Sequence, residues 1–315
     1  MGVFGIGLYS GDFAMDLRST VGAVARLPFE AERLVELVCE CESGVASDPA
    51  DEDHTTFWLV LADQFSKRGI ESARVRDAAL SIIDNGLDLV RLEKLGMKTA
   101  DLRKRKAMLE ELRVRLISAV VKKARPVLKS PQPLLMPVGG VYLYPTCGGD
   151  CINPYFPSKE KYKFYRADGS VSWEWKQDGW GSMLIVDCGR AFEFLAWYRP
   201  LLLARGADEK PTMESLRGGL SWKLGRAGTC SKSHFTRMEL EKIGELPVDR
   251  DKVGACFPGM KPGTRQAIQD ISIANAMRII PAGASSMANK AEEEVARRLM
   301  AREPTISDLG EILAG

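Results

Sequence analysis

The 315-residue chain is short of several things that would announce a function. It has only two histidines, His54 and His234, which leaves little imidazole for acid–base or metal chemistry. No apolar run approaches the ~18 residues of a membrane span. Net charge is only +2, from 44 basic and 42 acidic residues, so the whole-chain balance points to neither nucleic acid nor a membrane surface. There is no internal repeat, no low-complexity tract and no G-x-S-x-G serine elbow. The seven cysteines are odd in number and widely spread, which excludes a simple disulfide framework and favours free thiols. The polar, glycine-rich start lacks the basic n-region of a signal peptide, so a cytoplasmic protein is expected. No cofactor is expected.

What is present divides the chain. Residues 1–125 carry helical periodicity. Phe13, Leu17, Val21 and Val24 form a stripe on a helix that Asp12 is expected to cap. A second helix over 30–42 places Leu34, Leu37, Val38 and Cys41 on one face. The acidic loop 48–53 should cap a third, His54–Arg68, whose "TFWLVLADQF" is apolar nearly all round and belongs at the centre of its domain. Gly69 reads as its left-handed cap, and Asn85-Gly86 breaks the next helix. A long helix from Thr99 to about Lys123 is strongly basic, whereas 30–53 is strongly acidic, a contrast that favours internal complementarity or a polarised surface.

Residues 126–137 contain four prolines and read as an extended basic linker. Beyond it, over 138–315, short β-rich runs replace the helical pattern: 141–146, 170–176, 182–188 and 190–198, with a tight hairpin expected at Asp187-Cys-Gly-Arg190. No long helix separates them, so an antiparallel sheet is expected rather than βαβ units. Strands are also expected in "LSWKLG" and over 242–248. Asp249 should cap a short helix, 286–302 should be an amphipathic helix, and Ser307 should cap a last short one. The expected class is α+β: an N-terminal helical domain followed by a mixed domain with a mainly antiparallel sheet.

The opening "MGVFGIGLYSGDFAMD" invites comparison with phosphate loops. It fails as a Rossmann fingerprint, since Gly5-x-Gly7 has no glycine three positions on and no strand before it. It fails as a P-loop too, because Gly11 is followed by Asp12-Phe13 where a lysine is needed. The same residues, Met1-Gly-x-Phe-Gly-x-Gly7 with Asp12, Ala14 and Asp16, resemble the start of a bacterial domain-of-unknown-function family that opens M-G-x-[WF]-G-x-G. The resemblance covers residues 1–17 and continues weakly to about 95. It implies no catalytic residues. Gly11-Asp12 stands where that family usually has asparagine-aspartate. In the second half, "GGVYLYPT", "DGWGSMLIVDCGRAFEFLAWYRPL" and "KIGELPVD" are similar to bacterial toxin-immunity proteins, which use a β-rich domain to bind and block a partner.

Three kinds of chemistry remain to be placed. Cys147-x₃-Cys151 with Cys230-x₃-His234 names four zinc-type ligands, although loop and core cysteines are the simpler reading. Cys147 or Cys230 could pair with His234 as a hydrolase nucleophile and base. Trp173 and Trp175 should share one strand face, and with Trp180, Tyr155 and Phe156 could line a core, contact a protein, or stack a sugar or base. The leading expectation is a non-catalytic protein with a protein partner. The alternatives are a Cys/His hydrolase or nucleic-acid-acting enzyme, and a sugar- or base-binding module. The basic helix keeps nucleic acid open as a weaker partner class.

Overall fold

The structure is a computed structural model that describes residues 5–118, 125–155, 163–165, 168–260, 272–277, 279 and 304–315. The fold is α+β, with helices preceding an antiparallel sheet. The chain divides into two compact units, Met1–Ser130 and Pro131–Gly315.

The first unit contains α1 (Asp12–Val24), α2 (Ala31–Cys41), α3 (Ser43–Ser47), α4 (His54–Lys67), α5 (Ala73–Asp84), α6 (Leu87–Lys94) and α7 (Thr99–Ile117). Every α4 residue from Thr55 to Phe65 is buried, and the helix touches α1, α3, α5, α6 and α7. Each large apolar side chain on it, Phe57, Leu59 and Leu61 among them, contributes about 1.5–3 kcal/mol through burial. The expected stripe on α1 is seen at Leu17, Val21 and Val24, while Phe13 is only half-buried.

Helix ends depart from the sequence expectation where acids compete. Asp12 does not cap α1. Gly11 is the cap position and offers no side chain, so Asp12 sits in the first turn, where a negative charge favours the helix dipole. Asp53 precedes α4 without a side-chain cap. The acidic loop instead folds on itself, with the Ala50 N–H donating to Asp48 Oδ1 at 2.9 Å and the Asp53 N–H to Asp51 Oδ1 at 2.8 Å. Gly69, at φ 65°, does end α4: its N–H donates to the Ser66 carbonyl and that of Ile70 to the Phe65 carbonyl, the paired bonds of a Schellman turn. The stretch of the basic helix expected over 119–123 lies outside the described residues.

The segment 126–137 carries neither helix nor strand. It is nevertheless fastened. The Leu128 N–H donates to the Arg26 carbonyl within the first unit. In the second unit the Gln132 N–H donates to the Phe194 carbonyl and the Leu135 N–H to the Tyr198 hydroxyl.

The second unit is built on β1 (Gly140–Cys147), β2 (Asp150–Cys151), β5 (Gly179–Ala191), β6 (Leu195–Leu203), β7 (Trp222–Leu224), β8 (Gly228–Thr229), β9 (Glu241–Glu245) and β10 (Thr305–Ile306). The central order is β10-β7-β6-β5-β1-β2, with β8 also on β6 and β9 also on β1, every pair antiparallel. Separately, β3 (Lys163–Tyr165) pairs with β4 (Val171–Glu174). Alternation sends Val141, Leu143, Leu184 and Val186 to one face, packed with Trp222 and Phe257, and Tyr142, Tyr144, Met183 and Ile185 to the other, packed with Tyr198 and Met238. Because both faces are covered, β6 is buried at all nine positions and is apolar throughout except at Arg199. Gly181 lies opposite Tyr144, and a Cβ there would come within 2.2 Å of the phenol ring, so only glycine lets these strands approach.

Three expectations in this unit are corrected. The β5–β6 hairpin does not turn at Asp187–Arg190. A bulge between Ile185 and Asp187 carries β5 on to Ala191, Cys188 pairs with Tyr198, and the turn falls at Phe192 and Glu193, with φ 49° and 66°. Ser307 caps nothing: Asp308 accepts the Gly310 N–H ahead of the last 3₁₀ turn. Trp173 and Trp175 do not share a strand face, because β4 ends at Glu174. Asp249 caps α9 (Arg250–Cys256) by accepting the Asp251 and Lys252 N–H groups. The helix expected over 286–302 lies outside the described residues.

Candidate functional site

The sulfur and imidazole candidates lie in the second unit. Cys151 on β2 and Cys230, just after β8, belong to the tyrosine-lined core face, and burial pushes both thiols up to about 12. Cys147, at the end of β1, is also raised, again chiefly by burial. A nucleophilic thiol needs the opposite shift, toward thiolate. His234 lies on α8 (Lys232–Arg237), its backbone N–H donated to the Ser231 cap at 3.2 Å and its ring edge-on to Tyr155 at 5.0 Å. Among the described residues no three or more His, Cys, Asp or Glu side chains converge as metal ligands would.

The aromatic candidates disperse. Trp175 is 7% exposed and offers a ligand almost no surface. Trp180 is half-buried against the Trp222 face, with Lys210 Nζ 5.2 Å over its ring. Tyr155 is exposed. The backbone of Trp173 pairs with Phe164, but its side chain lies outside the described residues, as does Phe156. Glu174 faces Lys163 across β3–β4 at 3.3 Å.

The densest polar geometry was not anticipated and lies in the helical unit. Asp63, 2% exposed, projects from the otherwise apolar α4. Its Oδ1 accepts Arg115 of α7 at 2.8 Å. Its Oδ2 accepts Lys67 at 2.7 Å, Gln64 at 3.3 Å and the hydroxyl of Tyr9. Gln64 also donates to Tyr9, and its carbonyl oxygens accept the Arg68 guanidinium. Arg18 of α1 lies 5.1 Å over the Tyr9 ring, and Lys67 5.4 Å over it. Burial alone would raise the Asp63 carboxyl, but hydrogen bonds from Lys67, Tyr9 and Arg115 outweigh it and hold the group below the usual carboxylate range. Burial raises the Tyr9 phenol, reinforced by its bond to Asp63. The Arg68 guanidinium is pushed down, by burial first and by Arg18 beside it.

A second carboxylate, Asp88 on α6, is fully buried. It accepts Arg105 at 2.8 Å, Arg91 at 3.0 Å and the Thr55 hydroxyl at 3.2 Å. Arg105 also donates to the Ile6 carbonyl at 3.1 Å, so α7 holds the glycine-rich opening in place. That opening lines a cavity of about 120 Å³ together with Asp53, Thr56, Leu92 and Arg105. The basic helix is complemented within its unit by Asp63, Asp84 and Asp88, none of which lies in the acidic 30–53 stretch. The one signal available in the sequence was the pair Asp63-Gln64 inside an apolar helix; Tyr9 and Arg18 carried none.

Among the described residues, no helix is long and apolar enough to cross a membrane. No family model, curated protein or solved structure matches the chain.

Proposed function

We propose that the chain is a non-catalytic protein acting through protein–protein contact, of the bacterial immunity or conflict-accessory type that its opening residues and β-rich half resemble. The observation that carries this reading is the cationic group around Tyr9. Arg18, Lys67, Arg68 and Arg115 gather at one place on the helical unit around a single carboxylate, with no activated nucleophile among them. Charged and aromatic side chains held at a fixed geometry are what a recognition surface needs. The cysteines lend the hydrolase alternative no support, since Cys147 and Cys230 are shifted away from thiolate.

The test is affinity purification of the intact protein from its host, alongside a Cys230→Ala/His234→Ala variant. A co-purifying protein at near-stoichiometric amount, retained by the variant together with the biological effect, supports the reading. A chain that brings down no partner, or an effect abolished by the Cys/His change while folding is intact, overturns it.

A further inference from the structure

We propose that the Arg18–Lys67–Arg68–Arg115 cluster is the docking point for an acidic segment of a protein partner, whose carboxylates seat on Arg18 and Arg68. This rests on the protein-contact reading and specifies the partner's chemistry.

The argument is a charge count at named atoms. Four cationic side chains surround one carboxylate. Asp63 is already shared by four donors: Arg115 on Oδ1, and Tyr9, Lys67 and Gln64 on Oδ2. Among the described residues Arg68 is bonded to the neutral oxygens of Gln64 and to no carboxylate. Arg18 has the Tyr9 ring beneath it and no ion pair among the described residues. Asp16, the nearest acid along α1, is two residues from Arg18 and points to another side of the helix. Arg68 Nη2 lies against α1 at Gly22, one turn from Arg18, so Arg18 and Arg68 are like charges held near one another, and half-burial of Arg68 sharpens the cost. An incoming carboxylate pair would relieve that repulsion with charge-assisted, fork-shaped hydrogen bonds.

The geometry favours protein over nucleic acid. Single strands are bound by stacking bases on open aromatic faces along an extended basic track. Tyr9, the aromatic ring of this cluster, already has Arg18 and Lys67 over it. Two of the α7 cations that such a track would need are committed, Arg105 to Asp88 and Arg113 to Asp84. The cluster itself is a compact cationic point, suited to one or two carboxylates.

The experiment uses the full-length chain and a fluorescein-labelled peptide carrying eight glutamates, read by anisotropy at low salt. An oligothymidylate of equal charge and inorganic phosphate serve as competitors. The peptide should bind, and Arg18→Glu should weaken it by about tenfold, the size of a lost, reversed rim charge at an interface. Arg103→Glu/Lys106→Glu, a larger charge change on the exposed side of α7, should alter it by less than about twofold if the cluster rather than net charge is the site. Equal losses in both variants, absence of peptide binding, or tighter binding of the oligothymidylate overturns the proposal. Displacement by low-millimolar phosphate also overturns it, in favour of a general anion site. A host partner retained by the Arg18→Glu chain would sink the docking point while leaving protein contact standing. No partner on the native chain would sink the protein-contact reading itself.

Discussion

The two units solve the problem of specifying one structure by different means. In the helical unit the interior carries two buried carboxylates, Asp63 and Asp88, each tied to arginines that reach across from α7. In the sheet unit the two faces are mainly apolar and aromatic, with Asp187, Arg199 and Lys223 also buried, and register and clearance show most clearly where Tyr144 packs against Gly181. Helices packed by apolar stripes can rotate or slide at modest cost, and a buried charge with fixed partners removes that freedom. A sheet has a period of two, so a slip of one residue moves every side chain to the wrong face and the pattern of the faces itself specifies register.

The sharpest way to break the contrast is one substitution in each unit. Asp88→Asn leaves Arg105 and Arg91 without their buried counter-charge and should cost about 3–5 kcal/mol, lowering the midpoint of the helical circular-dichroism signal. Gly181→Ala overpacks a fully buried ring and should cost about 1–3 kcal/mol, seen in tryptophan fluorescence, which reports chiefly on the sheet unit. A large loss from Gly181→Ala with none from Asp88→Asn would mean that the ion pairs are decoration.

A pH titration sharpens the same comparison. The Asp63 carboxyl binds its proton less tightly folded than unfolded. The stability it contributes is whole above the ordinary carboxylate value and is lost as pH falls through the depressed one. The thiols of Cys151 and Cys230 and the phenols of Tyr142 and Tyr198, each raised to about 12 by burial, behave oppositely. They bind protons more tightly when folded, so their contribution is whole below the ordinary thiol and phenol values and drains as pH rises toward 12. Acid should therefore melt the helical signal first and alkali the sheet. Tyr9 and Cys39 are also raised by burial and give the helical unit an alkaline sensitivity of its own, carried by fewer groups. Coincident midpoints at both ends of the scale would erase the distinction.

The smallest expected effect is at the β5–β6 turn. Phe192 and Glu193 hold left-handed conformations that cost a side-chain-bearing residue about 1–2 kcal/mol each. Glu193→Gly should recover part of this and stabilise the sheet unit by roughly 0.5–1 kcal/mol, after glycine's own entropy cost. A destabilised Glu193→Gly, measured by chemical denaturation, would mean that the turn is held by contacts of the glutamate instead.

What could be read along the chain follows this division. Periodicity placed the seams of α1 and α2, an all-round apolar run placed α4 at the centre, and Gly69 ended α4 as expected, because those signals are local. The change from helical to β-rich pattern placed the two halves in the right order for the same reason. The helix caps were misread at Asp12 and Ser307, since the cap position fell one residue away, on Gly11 and on Asp308. The hairpin was misplaced at Asp187–Arg190 because a bulge and strand pairing outweigh turn propensity. For the aromatic candidates the sequence left core, protein contact and stacking open, and the fold sends Trp175 to the core while Tyr155 stays exposed: composition cannot say which face a strand presents.

The sequence by itself determined the α+β class and the central helix. Those depend on spacing between near neighbours. Only the tertiary structure decided that Tyr9, Arg18, Asp63, Lys67, Arg68 and Arg115 form one group, because Tyr9 and Arg115 stand far apart in the chain and meet through the packing of α1 and α7 on α4. Charge is carried by individual residues, but which charges remain uncompensated is a property of the folded surface.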